Sequence, residues 1–269
     1  MASSSMSPLA RQLARQRIAI LGALLTLAAL SWAFVIWQAR TMSGSAMSGG
    51  MAAPSGLTMG MGVALFLAVW VAMMVAMMFP SAAPMVLMFS AITAGKRQRG
   101  QVFTPTWIFV AGYLLVWTLA GVVAYLAALE LDALASHSTA VMQNAARVGG
   151  ALLIAAGVYQ LSPLKRVCLA KCRTPTQFLM TSWRAGNNGA LRMGIEHGAY
   201  CLGCCWLLFA ILFPLGMMNI AALAALTALI FVEKTLPIGR IAATLAGGAF
   251  IAYGLLVVVA PTLLPGSMS

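Results

Sequence analysis

Negative charge is nearly missing from this chain, which has four Asp and Glu residues against sixteen Lys and Arg. Charged residues of both signs together make up only 7% of it, while 62% is hydrophobic. Soluble globular domains carry about a quarter charged residues, so this composition excludes a soluble fold and indicates an integral membrane protein. Also missing are a P-loop, a dinucleotide-binding Gly fingerprint, an HExxH pair and a hydrolase triad, which argues against a soluble-type enzyme attached to a membrane. No internal repeat of convincing period is present, and nothing resembles a nucleic-acid motif despite the net charge of +12.

What is present is a series of apolar runs near 18–38, 61–90, 105–129, 146–162, 198–217, 219–236 and 241–263. Each approaches the roughly 20 residues needed to cross a bilayer, which predicts an all-α, polytopic membrane helix bundle of about seven transmembrane helices. The first run follows a basic stretch but is longer than a signal-peptide core, so an uncleaved anchor is expected. The basic residues fall in blocks between the runs. With the N-terminus in the cytoplasm, Arg11, Arg15, Arg17, Lys96, Arg97, Arg99, Lys165, Arg166, Lys171, Arg173, Arg184, Arg192, Lys234 and Arg240 all lie on the inner side, leaving Arg40 and Arg147 outside. Cytoplasmic loops collect Lys and Arg, so this bias predicts a cytoplasmic N-terminus in a bacterial inner membrane. The 219–236 run is the least secure boundary, since only a Met217–Asn219 turn separates it from the run before.

Two regions follow. Residues 1–59 comprise the anchor and a Gly/Ser-rich outer loop with Met42, Met47, Met51, Met59 and Met61 in or beside it. Residues 60–264 form the main membrane domain, with a cytoplasmic loop at 163–196. In the second run, Pro80 and Pro84 are expected to kink or break the helix, leaving backbone groups for neighbours to satisfy.

The chemistry-bearing residues are concentrated. HGAYCLGCCW (197–206) supplies His197, Cys201, Cys204 and Cys205 within ten residues, at the predicted mouth of a membrane helix. On a helix with His197 at zero, the cysteines fall at roughly 40°, 340° and 80°, one arc of about a hundred degrees. Donors at i and i+4 can share one ion, so the cluster is geometrically suited to a metal. Cys168 and Cys172 repeat the i, i+4 spacing in the basic segment VCLAKC, whose cations would favour thiolates. In WVAMMVAMMFPSAAPMVLM (70–88) the thioethers of Met77, Met78 and Met85, with their neighbours, favour one side of the helix. Thiolate and thioether donors select soft metals, copper first, and Cys/His sites also suit zinc. Against this stand plainer readings: methionine fills irregular gaps, and Gly198, Gly203 and small Cys residues allow close helix packing. Among the acidic residues, Glu130 and Asp132 near His137 read as a solvated outer loop rather than a cation site. Glu196 reads as a partner of Arg192, and Glu233 with Lys234 as a local ion pair or a snorkelling pair.

The stretches WVAMMVAMMFPSAAPM (70–85), GVYQLSPLKRVCLAKCRTP (157–175), GALRMGIEHGAYCLGCCWLL (189–208) and VEKTLPIGR (232–240) resemble the bacterial family of predicted metal-binding integral membrane proteins, a domain of unknown function. The resemblance covers most of the chain from about residue 60 to 255. It implies membrane location, and metal binding through Cys168, Cys172, His197, Cys201, Cys204 and Cys205, without naming the metal. The combined expectation is a membrane protein that binds copper or zinc for metal handling, transfer or metalloenzyme assembly. Its partners would be the lipid bilayer and a metalloprotein or membrane complex. Binding or transfer is expected in preference to covalent catalysis. Two alternatives are a thiol–disulfide oxidoreductase using the Cys201/Cys204 C-x-x-C pair, and a non-catalytic subunit of a membrane complex.

Overall fold

Long apolar runs with almost no carboxylate leave the backbone little choice but to satisfy itself within helices, and the computed structural model is helical throughout its ordered elements. It describes residues 8–47, 56–101 and 104–263, among which no strand occurs. The helices are α1 (Pro8–Met47), α2 (Val63–Gln98), α3 (Thr106–His137), α4 (Thr139–Leu161), α5 (Pro163–Arg173), α6 (Pro175–Ser182), α7 (Gly186–Ala210), the single turn α8 (Leu212–Leu215), α9 (Ile220–Thr235) and α10 (Gly239–Val259). A short 3₁₀ turn, Pro261–Leu263, follows.

Among the described residues, five segments are long and apolar enough to cross a membrane: Arg11–Met42, Val63–Gln98, Thr106–His137, Gly186–Leu215 and Gly239–Val259. A sixth arises if α4 and α5, bent by 63° at Ser162, count as one broken span. The expected seven are therefore not all present as separate long helices. At 16 residues, α9 extends about 24 Å, short of the roughly 30 Å hydrocarbon core.

Local chemistry explains the breaks. Ser162 Oγ accepts from Lys165 N–H and Pro163 occupies the first turn of α5, a combination that starts a new helix where α4 stops. Asn219 caps α9 in the same way, accepting from Ala222 N–H at 3.1 Å. The expected cytoplasmic loop 163–196 is instead α5, α6 and the first eleven residues of α7. Met42 and Met47 lie within the span of α1 rather than in the outer loop, while Met51 lies outside the described residues. Helix α2 runs unbroken through Pro80 and Pro84. The missing proline N–H groups cost it two ladder bonds, yet packing on α1, α3 and α9 holds it together.

Glycines set how closely the central helices approach. A β-carbon on Gly112 of α3 would collide with the Leu191 carbonyl of α7, and one on Gly194 with the Phe109 carbonyl of α3. Helices α4 and α10 meet reciprocally, with Gly150 against Gly254 and Gly157 against Gly247. Small residues at such crossings allow backbones to touch, which is how helices associate where lipid removes the hydrophobic drive. The result brings α7 into the interior, flanked by α3 and α5.

Candidate metal centre

Gly203 gives α7 a gap through which α5 reaches it. A β-carbon there would stand 3.1 Å from Cys168 Sγ, so the cysteine of α5 sits directly over the glycine. One turn further along α5, the Cys172 sulfur is close enough to Cys201 and Cys204 to interact with both. Every cysteine is a free thiol, and Cys201, Cys204 and Cys205 are buried. The two cysteine segments thus converge on one place, a relationship the sequence leaves open.

The cluster lies well inside α7 and not at its mouth, because the helix begins at Gly186. His197 is eleven residues in, about 16 Å along the axis. Its ring is buried among Phe109, Tyr113 and Phe178, with centroids 6.0, 5.7 and 5.5 Å away. Its Nδ1 has no hydrogen-bond partner among the described residues. Tyr113 links it to the thiols: the ring stacks on His197 while Oη lies 3.1 Å from Cys201 Sγ.

From α2, Met78 reaches the same sulfur, with Sδ 4.0 Å from Cys201 Sγ. Met77 and Met85 are buried in the hydrophobic core. Met85 lies seven residues from Met78 and so shares its helix face two turns away, whereas Met77 is turned from it by about 100°.

The centre of the cluster holds a cation of the chain's own. Lys234 Nζ donates to Cys201 Sγ at 3.0 Å and to Met78 Sδ at 3.5 Å. Lys234 therefore neither snorkels nor pairs with Glu233. Glu233 turns the other way and binds Lys165 at 2.7 Å and Gln160 Nε2 at 2.6 Å, and Lys165 also donates to Gln160. This network joins α4, α5 and α9.

The remaining thiols face inward to their own helix. Cys204 and Cys205 both donate to the Cys201 carbonyl, at 3.1 and 2.8 Å. Among the described residues no three His, Cys, Asp or Glu side chains form a group that could hold one ion. His197, Cys201, Cys204 and Cys205 lie along the buried side of α7. The donor types suit a soft metal; their present arrangement is a closed one.

Glu196 and Asp132 have partners different from those expected. Glu196 accepts from Ser182 Oγ at 3.1 Å rather than pairing with Arg192. Asp132 accepts from the backbone N–H groups of Leu57, at 2.8 and 3.0 Å, and of Thr58 at 3.4 Å, clasping the segment before α2. Glu130 and His137 are exposed. Tyr113 was not suspected from sequence; the available signal was a tyrosine inside an apolar span. For Lys234 it was a lysine in an apolar helix, which ordinarily marks function.

Buried thiols and a thioether, enclosed by apolar helices, are the donor types that soft metal ions prefer. Residues 67–257 match the family described as PpoB2, copper chaperone, and the chain belongs to that family. The matched region contains all five cysteines, His197, Met78 and Lys234 and leaves out α1. No curated protein and no solved structure matched the chain.

Proposed function

We propose that this chain carries Cu(I) in the interior of a multi-pass inner-membrane bundle and passes it to a metalloprotein during assembly. The observation that carries this reading is the meeting of sulfurs from three helices: Cys201 of α7, Met78 of α2 and Cys172 of α5. A separation of 4.0 Å between Cys201 and Met78 lets one ion touch both at metal–sulfur distances of about 2.3 Å. Cys204, a thiol donating to the Cys201 carbonyl at 3.1 Å, lines the site, and His197 offers a buried imidazole. Cys168, half-exposed on α5 above Gly203, is placed to receive or release the ion.

The family gives copper, and the donor set favours Cu(I) over zinc, since thioethers are poor zinc ligands. In this reading the basic flanks hold the N-terminus in the cytoplasm, α1 is an anchor, and residues 60–264 handle the metal. The C-x-x-C redox alternative rests on the same two residues, Cys201 and Cys204, which are free thiols here, and no further observation favours it over metal transfer.

Elemental analysis of detergent-purified, reduced protein tests the proposal. Copper above background in the wild type, lost in Cys201→Ser and reduced in Cys172→Ser and His197→Ala, is expected. Equal copper in wild type and Cys201→Ser would refute it.

A further inference from the structure

Lys234 is a buried ammonium that forms no ion pair with a carboxylate among the described residues. All four acidic side chains of the chain have other places: Glu233 on Lys165 and Gln160, Glu196 on Ser182, Asp132 on the backbone at 57–58, and Glu130 exposed. Yet Lys234 is only 8% exposed and its Nζ contacts are a thiol and a thioether. A charge so placed costs several kcal/mol unless a counter-charge is near, and sulfur is what lies nearest.

We propose that Lys234 is the charge-selecting residue of the site, admitting a monovalent soft ion and disfavouring a divalent one. This rests on the reading of the cysteine cluster as a copper site. The argument is a charge count in a buried place. Cu(I) on the two thiolates of Cys201 and Cys172, with the uncharged Met78 thioether beside them, leaves one negative charge, which the ammonium neutralises. A divalent ion on the same two thiolates is already neutral, so the ammonium stands uncompensated beside it. Repulsion between the ammonium and the ion also doubles with ion charge at a given distance. Both effects act in the same direction. Position reinforces them, because Lys234 touches Cys201 and Met78 together, the two sulfurs an entering ion would bridge. The neighbouring Glu233 anchors the end of α9 to α4 and α5, so the ammonium is held there by the fold.

The test is competition titration of the full chain in detergent, under reducing conditions, with Cu(I) alone and Zn(II) alone against chelators of known affinity. Lys234→Gln removes the charge, Lys234→Leu is a second neutral variant, and Lys234→Arg keeps it. The neutral variants should lose at least about tenfold in the Cu(I)-to-Zn(II) affinity ratio, while Lys234→Arg stays within about threefold of wild type. An unchanged ratio in a neutral variant that still binds Cu(I), or the same change in Lys234→Arg, overturns the inference. A Cys201→Ser chain that binds both ions as the wild type does overturns the site itself, whatever the Lys234 variants show.

Discussion

Glu233 and Lys234 are adjacent in the chain, yet their side chains leave α9 for different partners: the carboxylate for Lys165 at 2.7 Å, the ammonium for Cys201 Sγ at 3.0 Å. One turn of one helix thereby ties the α5 segment into the bundle and places a cation among the sulfurs. The arrangement makes the position of Cys168 and Cys172 depend on a polar network that contains no sulfur.

The first prediction concerns that network. Lys165 and Glu233 are almost fully buried, with side chains 1% and 3% exposed. Removing one partner leaves an uncompensated charge, typically costing about 3–5 kcal/mol, whereas replacing both with apolar residues costs far less. Glu233→Leu should lower the thermal midpoint in detergent markedly, and Lys165→Met with Glu233→Leu should recover much of it. Additive losses in the double variant would contradict the pairing.

Close helix contact gives a second prediction. The atoms that a Gly194 or Gly112 side chain would meet are backbone carbonyls, which cannot rotate away. Gly194→Ala should destabilise by at least about 1–3 kcal/mol, the ordinary cost of overpacking, and Gly194→Leu should block folding. Unfolding in mixed micelles measures this. Gly22, with open space around it, is the control and should tolerate alanine.

A third follows from Gly203. A valine there would push Cys168 off α7, so Gly203→Val should lower copper content about as much as Cys168→Ser does. Full copper in Gly203→Val would mean that the contact between α5 and α7 has no part in binding.

The fourth concerns the segment before α2. Asp132 accepts three N–H contacts from Leu57 and Thr58. Hydrogen bonds to a charged group contribute about 1.5–3 kcal/mol each when removal leaves donors unpaired. Asp132→Ala should therefore speed hydrogen exchange at 57–58 about tenfold or more, without changing copper content. Unchanged exchange there would mean that the clasp is not formed in solution.

Much of this architecture was legible in the chain. Apolar runs located the long helices, because length and hydrophobicity alone decide what can cross lipid. The cysteine face of α7 followed from helical spacing. What spacing does not carry is the third dimension. Nothing in VCLAKC says that Cys172 meets Cys201; that depends on the bend at Ser162 and the absence of a side chain at Gly203. The segment 163–196 reads as a loop because α5 and α6 are only 11 and 8 residues long and Lys and Arg interrupt its apolar residues. Lys234 reads from sequence as an ion-pair partner of Glu233 or a snorkelling residue, since nothing local distinguishes a lysine that reaches outward from one that reaches inward. Pro80 and Pro84 suggested a break, but surrounding helices keep α2 continuous.

The most direct test of the central claim is copper-edge X-ray absorption on the reduced, Cu(I)-loaded protein in detergent. The account predicts a sulfur-dominated first shell at about 2.3 Å that loses sulfur in both Cys201→Ser and Met78→Leu. A shell of nitrogen and oxygen alone, or one unchanged by Cys201→Ser, would contradict it.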